Sequence, residues 1–72
     1  MDYFVWYDET SHKSIAQKIQ DAITAYSARF SEEPPLILVN TNDQADMGLI
    51  DVRCEPTVQR NTFWLAIRKP VR

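Results

Sequence analysis

The chain has 72 residues, of which 44% are hydrophobic and 25% are charged, and its formal net charge is −2. This length permits one domain with a small core, and this composition is that of a globular protein rather than a disordered one. A single cysteine, Cys54, excludes an internal disulfide and favours a reducing, cytoplasmic location. The apolar runs predict neither a signal peptide nor a membrane-spanning helix.

Charge is distributed unevenly along the chain. Residues 1–51 hold nine acidic and three basic residues, whereas residues 52–72 hold five basic residues and one acidic residue. The basic residues of this last part are Arg53, Arg60, Arg68, Lys69 and Arg72. Either the two parts attract each other within the fold, or the basic part meets an acidic partner.

The first predicted strand is the aromatic and β-branched run at residues 3–7. Both of its faces are apolar, so the choice of the inner face depends on the flanking residues. The flanking acids Asp2 and Asp8 have even numbers, as do Phe4 and Trp6. We therefore expect Phe4 and Trp6 on the face away from the helix and the odd-numbered residues in the core. In the alternative, Trp6 turns inward.

A helix is predicted next, over residues 14–30. Large apolar residues recur there at steps of three and four, which places them on one face of a helix. They are Ile15, Ile19, Ile23, Tyr26 and Phe30. Ser14 with Gln17 fits a capping box, and Ser11 is an alternative N-cap. Pro34 and Pro35 end the helix before the next strand.

Three further strands are predicted. Residues 36–39 are continuously apolar, whereas residues 50–55 and 63–68 alternate between apolar and other side chains. The predicted fold class is α+β, with two layers: one helix packed on a four-stranded mixed sheet, in the order β-α-β-β-β. We expect a parallel crossover between the first two strands and a hairpin between the last two. The first strand can lie beside the second or the fourth.

No pattern in the sequence predicts catalysis, a metal or a cofactor. His12 and Asp8 are too few ligands for a metal site, and Cys54 falls on the apolar side of its strand. Residues 40–51 lack the acidic and glycine positions of a calcium loop. The expectation is a single non-enzymatic domain over residues 1–72.

The face away from the helix has no predicted cover, and it is the candidate interaction surface. Its expected residues are Phe4, Trp6, Arg53, Trp64 and Arg68. Such a surface fits another protein, namely a second copy or a larger complex that this chain inhibits or adapts. The alternative is single-stranded nucleic acid, with bases stacked on the aromatic rings and phosphates near the basic residues. The acidic net charge and the order of elements weigh against nucleic acid.

Overall fold

The computed structural model describes residues 2–67, which form one helix packed on a four-stranded mixed sheet. The elements are β1 (Tyr3–Tyr7), α1 (Ile15–Phe30), β2 (Leu36–Val39), β3 (Asp51–Cys54) and β4 (Thr62–Ala66). The predicted α+β class and the order β-α-β-β-β are confirmed. Within the described residues, no helix is both long and apolar enough to cross a membrane.

The ends of α1 are fixed by two serines. Ser14 is the N-cap, and its Oγ accepts a hydrogen bond from the backbone N–H of Gln17 at 3.1 Å. The amide nitrogen of the Gln17 side chain donates to Asp21 at 3.2 Å. This partner is not the N-cap residue Ser14, to which the side chain of a capping box bonds. Ser31 ends the helix in the left-handed conformation, with φ of 59°, and its N–H donates to the carbonyl of Ser27.

The core lies between α1 and one face of the sheet. Its buried residues are Ile19, Ala22, Ile23 and Tyr26 from α1, with Ile37, Val39, Phe63 and Leu65 from the two central strands. The hydroxyl of Tyr26 donates to the carbonyl of Ala66 at 2.8 Å, so the polar atom of this buried ring is paired with the sheet. The predicted helix face therefore packs against the predicted apolar sides of β3 and β4, and against Ile37 and Val39 of β2, for which no inner side was predicted.

The strands follow the order β1-β4-β2-β3 across the sheet. β4 is antiparallel to both β1 and β2, while β3 is parallel to β2. The predicted β3–β4 hairpin is wrong, because β2 lies between these strands. Of the two positions predicted for β1, the one beside β4 is found: β1 and β2 run parallel as predicted, but they do not pair, because β4 lies between them. The connection from β3 to β4 crosses the end of β2, where Glu55 N–H donates to Val39 at 2.7 Å and the Asn40 side chain donates to Val58 at 2.7 Å.

The predicted assignment of the two faces of β1 is wrong: the residues expected on the open side face the core, and those expected in the core face away from it. Phe4 and Trp6 pack against the core, and the Phe4 ring meets the rings of Tyr26 and Phe30 edge-on at 6.0 Å each. Phenylalanine has no polar atom to solvate, which favours it in this position. Asp2 and Asp8 lie outside the strand, so their positions did not constrain its inner face.

Candidate interaction surface

The open face is defined as the sheet surface opposite α1. Because successive side chains of a strand point to opposite faces, the buried residues of the core identify the residues of the open face. These are Tyr3, Val5, Tyr7, Leu36, Leu38, Asp51, Arg53 and Trp64, together with Thr62 and Ala66 of β4, which are buried. Within the described part of the chain, no second layer of helix or strand covers this face.

One row of side chains crosses the open face from edge to edge. The register pairs Val5 with Trp64, Trp64 with Leu38, and Leu38 with Arg53. Val5 is 53% exposed and Trp64 is 38% exposed, although both are large apolar residues. The Tyr3 ring lies 5.4 Å from the Trp64 ring, measured between centroids. The row therefore presents a continuous apolar surface that ends in a charged residue.

Polar groups lie at the margins of this apolar centre. At one margin, Arg53 donates through Nε and Nη2 to the same oxygen of Asp51, both at 2.9 Å. At the other, the Tyr7 hydroxyl donates to Glu9 at 2.8 Å, and this hydrogen bond is the main reason why the pKa of Tyr7 is raised. An apolar centre with a polar margin is the usual arrangement of a protein–protein interface.

The structure brings together some of the predicted surface residues and separates others. Trp64 and Arg53 lie on the open face as expected. Phe4 and Trp6 lie on the helix side, and Trp6 Nε1 is buried without a hydrogen-bond acceptor among the described residues. Arg68 lies outside the described residues. Whether any of these residues binds a partner stays a prediction.

The sequence reasoning missed Leu36 and Leu38 of β2, whose run is apolar on both faces, and three open-face residues of β1. The three in β1 are Tyr3, Val5 and Tyr7. A signal for them was present, because tyrosine hydroxyls need a partner or water and so favour a face that reaches solvent. The two tyrosines have odd numbers, and this parity identifies the exposed side of the strand.

A second group of polar residues lies where β2 ends and β4 begins. Asp43 is fully buried and accepts hydrogen bonds from Arg60 Nε at 2.9 Å and from the Asn61 N–H at 2.7 Å. Lys18, which is 5% exposed, donates to the side chain of Asn61 at 2.9 Å. The group connects the loop after β2, the start of β4 and α1, so its role in the structure is to hold these elements together.

His12 and Cys54, the residues considered for catalysis or metal binding, lie on different parts of the fold, before α1 and at the end of β3. His12 is exposed, and Cys54 packs at the edge of the core. Among residues 2–67, no group of three or more histidine, cysteine or acidic side chains is placed to hold a metal ion. An open cavity of about 540 Å³ lies beside β3, and Asp46 is the one ionisable residue among its described lining. This lining does not form a general acid–base pair.

Comparisons with protein-family models, with curated proteins and with solved structures found no match. The function is therefore inferred from the geometry of the molecule itself. The feature of this geometry that is most unlike a solvated surface is the apolar row on the open face.

Proposed function

We propose that this chain is a small, non-catalytic protein-interaction module that binds another protein through its open face. The partner is a surface with an apolar centre, carried by a second copy or by a larger complex that the module inhibits or adapts. The observation that carries the proposal is the exposed ring of Trp64 between Val5 and Leu38. The unpaired Cys54 supports a reducing, cytoplasmic setting.

The energetic reason is the apolar area that the open face leaves in water. A tryptophan buries about 150–250 Å² when it is covered, and Trp64 is 38% exposed. At about 25 cal/mol per Å², covering its exposed part contributes roughly 2 kcal/mol to association. Tyr7, at 59% exposed, and Val5 extend the same surface. Tryptophan and tyrosine are also the residues most often found to dominate binding energy at interfaces.

Binding of single-stranded nucleic acid stays a prediction and has less support. Each of the two described arginines of the basic part already has a carboxylate partner: Arg53 pairs with Asp51, and Arg60 with Asp43. If the basic residues met phosphates, affinity for labelled single-stranded DNA or RNA would fall steeply as salt rises. Tight, salt-sensitive binding would favour this alternative over a protein partner.

The proposal is tested by placing a photo-crosslinking amino acid on the open face. Benzoylphenylalanine replaces Trp64 in one variant and Gln20 of α1, which is exposed on the opposite side of the molecule, in a matched control. Both variants are expressed in the cells that naturally produce the protein and irradiated. We expect discrete adducts from position 64 and none from position 20, with circular dichroism showing that both variants are folded.

Two outcomes would contradict the proposal. Equal labelling from both positions would show that contacts are not specific to the open face. A folded variant with no adduct from position 64 would show that the face is solvated in the cell. An additional variant with the crosslinker at Tyr7, which shares the face, guards against a local effect at Trp64.

A further inference from the structure

β1 lies at one end of the sheet, and half of its backbone groups face away from β4. Asp8 donates its N–H to Asn61 and Ile67 donates to Asp2, both at 2.9 Å. Hydrogen-bonded and non-bonded positions alternate along an antiparallel pair, so the even-numbered residues of β1 pair with β4. The N–H and carbonyl groups of the odd-numbered residues therefore point outward from the sheet edge.

Within the described residues, β1 itself lacks the sequence features that usually prevent an edge strand from pairing with another strand. Natural edge strands are protected by lysine, proline, a bulge or very short length. β1 has neither lysine nor proline, and it pairs with β4 in five consecutive positions without a bulge. All of its side chains from Tyr3 to Tyr7 are aromatic or β-branched. The outer edge of β1 is therefore a ready template for another strand.

The sequence of β1 is chemically symmetric about Val5. A tyrosine stands two residues away on each side, at Tyr3 and Tyr7, and an aromatic residue stands next to it on each side, at Phe4 and Trp6. In an antiparallel pair centred on Val5, Tyr3 lies opposite Tyr7 of the second copy, and Phe4 lies opposite Trp6 of the second copy. Such aromatic cross-strand pairs stabilise a sheet. The outward-facing odd residues then occupy the hydrogen-bonded positions of the new pair.

We propose that the chain forms a symmetric dimer in which β1 pairs antiparallel with β1 of a second copy about Val5. The two sheets become one continuous sheet, and the apolar rows of the two open faces meet at the twofold axis. The inference rests on the proposed function, since it names a second copy as a partner of the module. It adds that the contact begins at the strand edge, through backbone hydrogen bonds.

The flanking acids limit this pairing to residues 3–7, and the overlap of the aromatic residues fixes its register. Asp2 of one copy falls opposite Asp8 of the other, and two carboxylates would repel each other. Lys13 Nζ lies 3.7 Å from Asp8, so a cation is already placed at this position. A register shifted by two residues would leave two aromatic residues of β1 without a partner from the same strand. The self-complementary centre on Val5 therefore gives the largest overlap.

The expected area indicates a weak, concentration-dependent dimer. The exposed Val5 and Tyr7 and the partly exposed Tyr3, Phe4 and Trp6 contribute an interface of at most about 800 Å² in total. Stable complexes bury about 1,200 Å² or more, so a smaller contact belongs to the transient class. We expect a dissociation constant in the micromolar range, reached at high concentration.

The test changes the backbone of the edge and leaves every side chain in place. A chain of this length can be made by chemical ligation with N-methyl-Val5, which removes an outward N–H that the monomer does not use. Sedimentation velocity is measured from about 5 to about 500 µM. We expect the unmodified chain to shift toward the dimer and N-methylation to lower the association constant at least tenfold. Val5→Thr, which keeps the N–H, is the control and should still dimerise.

A second measurement needs no variant. Amide exchange followed by NMR should show that the Val5 and Tyr7 amides become protected as concentration rises, since these groups enter hydrogen bonds in the dimer. A wild-type chain that stays monomeric up to 500 µM would overturn the inference, as would a dimer without protection of these amides. A folded N-methyl variant that dimerises normally would also overturn it.

The outcomes separate this inference from the proposed function. If Trp64→Ser abolishes self-association while N-methyl-Val5 does not, the copies meet through the open face, and the edge inference fails alone. If the edge dimer forms but position 64 gives no crosslink in cells, the edge inference stands and the open-face proposal fails.

Discussion

At the scale of single residues, Asp43 is a buried carboxylate that joins two loops. It has no exposed area and accepts from Arg60 and from the backbone of Asn61. Asp43→Ala would leave the partly buried Asn61 N–H without its acceptor and Arg60 without its counter-ion. We expect it to lower the free energy of unfolding by roughly 2–4 kcal/mol, measured by urea denaturation.

Asp46 provides the matched control for this change. It lies in the same loop and accepts a hydrogen bond from Gly48 at 3.0 Å, but its side chain is exposed. Asp46→Ala should cost about 1 kcal/mol or less, because water replaces the lost partner. Equal losses for the two variants would show that Asp43 is no more important than an ordinary loop residue.

Asp21 should make stability depend on pH. A hydrogen bond from Lys13 at 2.8 Å, followed by one from Gln17, lowers the pKa of Asp21 below its ordinary value. A lowered pKa in the folded state stabilises the protein above the unfolded pKa, about 3.9, and this contribution is lost as pH falls through the folded value. Asp21→Asn should therefore reduce stability at pH 7 and make little difference near pH 2.

The measurement for Asp21 is urea unfolding of both proteins at several pH values. Glu32→Gln supplies a control with the same change of charge, at an exposed position beyond the helix. A difference between wild type and Asp21→Asn that stays constant from pH 7 to pH 2 would contradict the role of the ionised carboxylate.

At the scale of elements, α1 carries one side of the core. Ile19 has no exposed area and packs among residues of β2 and β4. Ile19→Ala should lower the free energy of unfolding by roughly 2–4 kcal/mol, because it leaves a cavity in a core of few residues. Thr24, exposed on the same helix, is the control, and Thr24→Ala should be close to neutral. Thermal unfolding that is unchanged by Ile19→Ala would show that the helix packs through another face.

The elements were predictable from local pattern, whereas their order in the sheet was not. The spacing of apolar residues and the Ser14 cap fix α1 within a residue of its observed start. The prediction of a β3–β4 hairpin was wrong because the chain crosses the end of β2 after β3, where the Asn40 side chain donates a hydrogen bond to the Val58 carbonyl. Such contacts join residues far apart in sequence, and no periodicity within one segment reports them.

At the scale of the whole molecule, the open face was predictable to the extent that each strand has a clear alternation. Phe63 and Leu65 claim the core side of β4, so Trp64 was assigned to the open face from sequence and is found there. In β1 both the odd-numbered and the even-numbered residues are large and apolar, so alternation alone cannot show which set faces the core. The choice depends on contacts with α1, above all those between Phe4 and the rings of the helix.

The reversed faces of β1 give the two tryptophans different roles, and this is the last prediction. Trp6 packs against the core and Trp64 lies on the open face. Trp6→Ser should lower the free energy of unfolding by roughly 2–4 kcal/mol, and Trp64→Ser should lower it by less, because more of the Trp64 ring already faces water. Urea unfolding followed by far-UV circular dichroism measures both. Acrylamide should quench the fluorescence of Trp64 in the Trp6→Phe variant more strongly than that of Trp6 in the Trp64→Phe variant. Equal quenching and equal losses of stability would place both rings in the core and remove the main support for an exposed interaction face.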